Sequence, residues 1–561
     1  MSEHEVARAH LPLDRRRFLL GAGAAGLGLG GTLAAGAATP AYAAAFGWSD
    51  DGTHYVVDTG ANLVFKVAKN NGDLTSLVYR GTQYQGYNGQ NSQVESGLGS
   101  SSVSIRQTSG TILITVVHGT LRHCYAARSG ENNVYMWTNK ADDSVTVTRY
   151  IVRVPPGRFP NSNPDSWNAT TDTVIEAQDI YRKSDGTTRS KHYSGQRVID
   201  YDYIGWSTGS VGMWMVRSNH EKASGGPFYR SLMRHYNEGG AGLYEILYYG
   251  ENQTEPERFG LQGPYVLAFT DGGAPASSLY HSAIDTSWVD GLGLAGWVGS
   301  GGRGRVAGVG ISGMASGYAY TVGFANSAAQ YWAKAAANTG YFSCSGMLPG
   351  TYTLTVYKGE LAVYTTSVTV TAGATTALHT LTVSDPSGAE AIWRIGDWDG
   401  APTGFKNASL MTYMHPSDPR AASWTGNFIV GTSTAGGFPC YQWADVNNGL
   451  LIYFKLTAAQ AAAAHTINIG ITTAYAHARP RITVNNWTSA IPAAATEPST
   501  RSLTVGSYRG NNYTYSYDVP ASAWQADTSA WNVLRIDAVS GSTGTGYLSP
   551  GYSFDVVELL A

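Results

Sequence analysis

The chain reads as an all-β protein built as three successive antiparallel sandwiches. Two observations predict this. Short runs of alternating apolar and polar residues, such as HYVVDTG, NLVFKVAKN and TILITVVHG, recur throughout with no sustained helical periodicity. Between them lie turn residues in quantity: the 561 residues include 68 glycines, and only 14% of the chain is charged. With 36 tyrosines and 15 tryptophans besides, the composition suits a secreted protein that handles carbohydrate.

Residues 1–45 read as an address and stand outside the fold. Arg15-Arg16-Arg17-Phe18-Leu19 opens a Gly/Ala-rich apolar run, and Ala41-Tyr42-Ala43 supplies a cleavage pattern. Together they predict twin-arginine export and a secreted mature protein with no membrane anchor.

Residues 46–297 predict a large antiparallel β-sandwich. Residues 298–384 carry GRVAGVGISG, AYTVGFANS and MLPGTYTLTVYKGE, closely spaced short strands of an immunoglobulin-like or fibronectin type III-like sandwich. Residues 385–561, opening AIWRIGDWDG and closing GYSFDVVELL, predict a jelly-roll sandwich of the carbohydrate-binding-module kind; its one helical pattern is LTAAQAAAA. Cys124, Cys344 and Cys440 are odd in number and far apart, so they read as buried thiols and not as a disulfide framework.

The net charge of −3 gives no overall attraction to a polyanion and excludes a nucleic-acid partner on charge grounds. Attraction to an acidic sugar must therefore be local. The densest candidate runs from Asp185 to Tyr265, where Lys, Arg, Tyr, His and Glu crowd strand-like segments. Cations there meet carboxylates, and aromatic rings cover the apolar faces of a pyranose. A strand through Arg189-Ser190-Lys191-His192-Tyr193 puts Arg189, Lys191 and Tyr193 on one face. Arg153 and Arg158, in IVRVPPGRFP, are further candidates for uronate contacts.

Five segments, in order, resemble the rhamnogalacturonan lyases of polysaccharide lyase family 4: DGTTRSKHYSGQR, QTEPERFGLQGPY, LAGWVGSGGRGRVAGVG, WRIGDWDGAPTGFKNA and MHPSDPRAASWTGNFIVG. The resemblance implies β-elimination on the rhamnogalacturonan I backbone of pectin, with an acidic polysaccharide as the partner. Lys191 matches the family's catalytic lysine. As a base, such a lysine needs its pKa drawn down by burial or by neighbouring cations, for which Arg189 and Arg197 are at hand. The family's catalytic histidine has no counterpart: alignment on Gln253-Thr254-Glu255 puts Glu251, or Asn252, in its place. Either Glu251 does that work, or His235 or His220 fills the same space from another strand, or the chain acts on a different uronate polymer. Tyr244 falls on the family's tyrosine-bearing strand, with Tyr248 and Tyr249 beyond it; adjacent residues face opposite sides, so one of the two points into the cleft.

The chemistry requires no cofactor. Asp397 and Asp399 flank Trp398 and, at i and i+2, would share a strand face, a pattern that reads first as a core tryptophan with locally hydrogen-bonded carboxylates and second as a structural calcium site. Trp393, Trp398 and Trp424 are also candidate sugar-stacking residues. Two other classes stay open: a non-catalytic carbohydrate-binding protein on the same scaffold, and a glycoside hydrolase using Glu251 with Glu255 or Asp202. The expected state of a secreted depolymerase of this kind is a monomer.

Overall fold

The computed structural model describes residues 45–561 except 88, 160–166, 177–178, 238, 250–254, 422, 495–511 and 541–543. The proposed leader and Glu251 thus lie outside the described residues. Among those described, no helix is long and apolar enough to cross a membrane.

The first sandwich faces a seven-stranded antiparallel sheet against a shorter five-stranded one. The larger sheet runs in the order 203–207, 212–216, 260–270, 133–140, 121–128, 111–118 and 102–108. The shorter runs 167–168, 234–237, 240–248, 148–154 and 93–94. Alternation decides which side chains enter the core between them. Tyr150, Val152 and Val154 on one strand, and Ala241, Leu243 and Leu247 on its neighbour, pack with Ile112, Ile114, Met136 and Leu267 from the opposite sheet. The intervening residues, Arg149, Ile151 and Arg153 with Gly242, Tyr244 and Ile246, are turned to the other face. The register pairs Ile151 with Tyr244 and Arg153 with Gly242, so this outer face is aligned across the sheet.

The second sandwich packs strands 342–347, 304–308 and 375–378 against 330–334, 320–325, 350–358 and 361–370. The third opposes a sheet built on Gly551–Leu560 and His465–Tyr475 to one built on Leu450–Phe454 and Asn532–Val539. The Ala-rich helical pattern is a single turn, Ala458–Ala461, closed by a Thr457/Gln460 capping box.

One sequence motif acts as a joint between domains. Trp398 is 2% exposed and, with Val556, belongs to the core of the second sandwich, so the WRIGDWDG segment rivets the third domain to the second. Trp393 and Trp424 lie in the third domain's own core, which settles them as packing and not as sugar platforms. The expectation that Asp397 and Asp399 share a strand face fails because the strand ends at Gly396, whose φ of 85° turns the chain away. All three cysteines are free and buried.

Candidate active site

A three-stranded sheet, Thr173–Glu176, Ile180–Arg182 and Thr188–Ser190, accompanies the outer face of the shorter sheet. Strand geometry stops at Ser190. Its side chain accepts the His192 N–H at 2.9 Å and caps a 3-10 turn, Lys191–Ser194. Arg189, Lys191 and Tyr193 therefore do not share a strand face. Arg189 is on the strand, where its Nη1 donates to the Thr188 carbonyl at 2.7 Å. Tyr193 turns inward, with its hydroxyl 3.3 Å from Thr188 Oγ1 and almost no exposure.

Lys191 is turned to Asp179. Its Nζ donates to Asp179 Oδ1 at 2.8 Å, while Tyr249 donates its hydroxyl to Oδ2 at 2.9 Å and His192 Nε2 lies 3.8 Å from that oxygen. The Lys191 side chain is 21% exposed and the Asp179 side chain 10%, so the pair sits at an opening and not in a sealed core. Burial alone would depress the Lys191 pKa. The Asp179 carboxylate outweighs it, joined by Tyr244 and Tyr181, and holds the ammonium above the ordinary lysine range. For Asp179 burial works upward, yet His192 and Lys191 hold the carboxylate well below its ordinary range. Both directions describe one ion pair, charged at neutral pH. This reverses the sequence expectation for Lys191: the dominant neighbour is an anion, and the lysine is stabilised as a cation.

Phenols and, besides His192, a second imidazole surround the pair. Tyr244 is 4% exposed. Tyr87 is pushed up to about 12, first by burial and then by Tyr244, with Arg153 and Lys191 opposing. The Arg153 guanidinium lies over the Tyr87 ring, 5.4 Å from its centroid. His235 shares this face, since it pairs with Gly242 across the strands. Its Nε2 contacts Asn168 Oδ1, and burial, helped by the Lys191 charge, keeps the ring neutral. His220 is elsewhere, stacked on Trp332 of the second domain at 4.1 Å. Tyr248 and Tyr249 do split as adjacent residues must: Tyr249 reaches Asp179, whereas Tyr248 feels Glu257 and Asp143.

Arg197 is part of a different neighbourhood. Its Nε donates to Asp200 Oδ2 at 2.6 Å, and its Nη1 lies 3.2 Å from Glu360 of the second domain. Sequence reasoning missed Asp179 and His192, and had Tyr249 only as one of a pair with Tyr248. Asp179 stands twelve residues before its lysine, and only the intervening hairpin brings the two together.

The third domain braces the hairpin that carries Lys191. Asp418 accepts the Thr188 N–H at 2.6 Å and the Thr188 hydroxyl at 2.8 Å, and Arg182 donates to Ser417 Oγ at 2.6 Å. Thus MHPSDPR is a structural buttress to the site. Among the described residues, no group of three or more His, Cys, Asp or Glu side chains is arranged to hold a metal. Asp399 and Asp555 do crowd one another. Asp555 Oδ1 accepts the Gly400 N–H at 2.9 Å, while its buried Oδ2 finds no hydrogen-bond partner. Burial first, then the Asp399 charge, pushes the Asp555 carboxyl well up.

Comparison with known proteins follows the same three divisions. The family model "Rhamnogalacturonan lyase B, N-terminal" matches residues 46–296. "Polysaccharide lyase family 4, domain II" matches 302–378, and "Polysaccharide lyase family 4, domain III" matches 391–559. Rhamnogalacturonate lyase A of Aspergillus aculeatus is 39% identical over 526 residues, 92% of this chain and 96% of its own length. Rhamnogalacturonate lyase A of Emericella nidulans matches to the same extent.

Proposed function

The chain belongs to polysaccharide lyase family 4, and from that membership we propose that it cleaves the rhamnogalacturonan I backbone by β-elimination at a galacturonate. The observation that carries this reading is the Lys191 cluster. An ammonium, fixed by a largely buried carboxylate and ringed by phenols, stands at an opening of a chain whose relatives are rhamnogalacturonate lyases.

The reaction removes the proton on C5, breaks the C4–O4 bond, forms a C4=C5 double bond and returns a proton to O4. Its obstacle is the carboxylate beside C5, whose charge opposes the developing carbanion. Lys191 enters as an ammonium and neutralises that charge as it spreads into the carboxylate; in a partly water-excluded site this stabilisation is large. Asp179 keeps Lys191 protonated and aimed, and Tyr249 holds Asp179. Tyr244 is the proposed proton donor to O4. The C5 proton goes to a separate base, for which Glu251 is the proposed residue. Arg153, Arg189, Tyr193 and His235 are retained as proposed contributors to substrate binding, Tyr193 and His235 through the walls that they build, whereas Tyr248, on the side away from Asp179, is not.

The test is an ultraviolet time course. The unsaturated uronate product absorbs where the substrate does not, so rhamnogalacturonan I is incubated beside homogalacturonan and a third uronate polymer. Rising absorbance on rhamnogalacturonan I supports the reading. A rise on another polymer only moves the substrate, and binding without any rise replaces the enzyme with a carbohydrate-binding protein.

Arg15-Arg16-Arg17-Phe18-Leu19 supports twin-arginine export of a secreted protein, and a monomer is the proposed state. A structural calcium ion between Asp399 and Asp555 fits the unpartnered Asp555 oxygen and would replace the proton that these crowded carboxyls otherwise need. A fall in melting temperature on chelation, absent in Asp555→Asn, would support it.

A further inference from the structure

We propose that the groove where the three domains meet is a second binding site for the polysaccharide, holding uronates that do not react; this rests on the function proposed above.

Two adjoining cavities make the groove. One of about 470 Å³ is lined by Tyr193, Arg197, Arg230, Arg234 and Tyr413 among others. The next, of about 390 Å³, shares Arg230, Thr412 and Tyr413 and continues along Pro402 and Ser409. Volumes of this order accommodate sugar residues. The first domain contributes the arginines, the second Glu360 and the third Tyr413.

The charge in this groove is built and not incidental. Glu360, 3% exposed, is 3.2 Å from Arg197 Nη1 and 3.8 Å from Arg230 Nη2, so one buried carboxylate sets two guanidinium groups side by side. Arg234 is fixed separately, its Nη1 donating to the Gly205 carbonyl at 2.9 Å. The described lining thus carries three guanidinium groups against two carboxylates, Asp200 and Glu360. A surplus positive charge beside a groove suits a carboxylate, and guanidinium forks bind carboxylates in a bidentate manner.

Tyr413 supplies the complementary surface. It is 52% exposed at the groove, an unusual fate for a large ring, and a phenol ring covers the apolar face of a pyranose. The groove also touches the proposed active site through one element. In the turn Lys191–Ser194, Lys191 faces Asp179 while Tyr193 lines the groove. A chain with alternating acidic and neutral sugars can therefore occupy both.

The experiment uses full-length Lys191→Ala protein, in which turnover is slowed enough to measure binding. It is titrated calorimetrically with a short rhamnogalacturonan oligosaccharide, sized to the Lys191 site, and with a long one. Tyr413→Ala, which removes an exposed ring without disturbing a core, and Arg230→Gln are added singly and together. The expected result is that the double variant binds the long oligosaccharide about tenfold more weakly and the short one with little change, a length-dependent loss. Equal loss for both lengths, or no loss for the long one in Tyr413→Ala and in the double variant, overturns the proposal. If wild-type protein makes no unsaturated product while the length-dependent loss persists, the lyase reading fails and the groove stands.

Discussion

Lys191 Nζ and Asp179 Oδ1 are 2.8 Å apart, an ion pair between a lysine at the head of a 3-10 turn and a carboxylate on the far side of its hairpin. The pair gives the site its electrostatic character. Asp179 is largely buried, and its carboxylate faces the lysine.

Asp179→Asn removes the group that holds Lys191 above its ordinary range. The basic limb of the kcat/KM profile, where the ammonium is lost, should move to lower pH by at least about one unit. An unmoved basic limb would show that Lys191 does not set it.

Tyr249→Phe takes one hydrogen bond from Asp179 and leaves its pairing with Lys191. The expected cost is about 1–3 kcal/mol in transition-state stabilisation, since the lost bond is to a charged acceptor. It should fall on kcat more than on KM, as steady-state kinetics will show.

Asp418→Asn tests the brace between the third domain and the hairpin. Burial works against the Asp418 carboxylate, but Arg420 and the Thr188 N–H hold it at about 2. Because its folded pKa is depressed, its contribution is present above the ordinary carboxylate value of 3.8 and is lost as pH falls towards about 2. At neutral pH the variant should lower the melting temperature and slow turnover together, through displacement of the Lys191 turn.

His415 makes stability depend on pH in a higher window. Burial, with the Arg182 charge, depresses its pKa from 6.5 to about 3. A depressed histidine stabilises the fold above its unfolded value and loses that contribution as pH falls from 6.5 towards about 3. Melting temperatures between neutral pH and about pH 4 should fall less steeply in His415→Gln than in the wild type.

The sandwiches were legible in the sequence because alternation is a local property. Thr111–His118 shows a strand whatever surrounds it. Lys191 and Tyr244 could be found from the resemblance, yet the charge state of Lys191 could not, since it depends on Asp179 across a hairpin. Nor could the break at Ser190 be read from alternation: a side-chain hydrogen bond to the His192 N–H ends the strand there. Trp398 reads as core from its type, but the core that it enters belongs to the neighbouring domain. Tyr249 was distinguishable from Tyr248 only as one of a pair, because the side that faces the site is fixed by tertiary packing.

The most direct test of the central claim is the ultraviolet time course on rhamnogalacturonan I with wild type, Lys191→Ala and Lys191→Arg side by side. If Lys191 acts as a fixed cation, the wild type produces unsaturated uronate, Lys191→Ala loses about 100- to 1,000-fold in rate, and Lys191→Arg retains a measurable share of it. If Lys191→Arg is as inactive as Lys191→Ala although it still binds the polymer, and the wild-type rate climbs with pH as a lysine deprotonates, then Lys191 is the base and the account is contradicted.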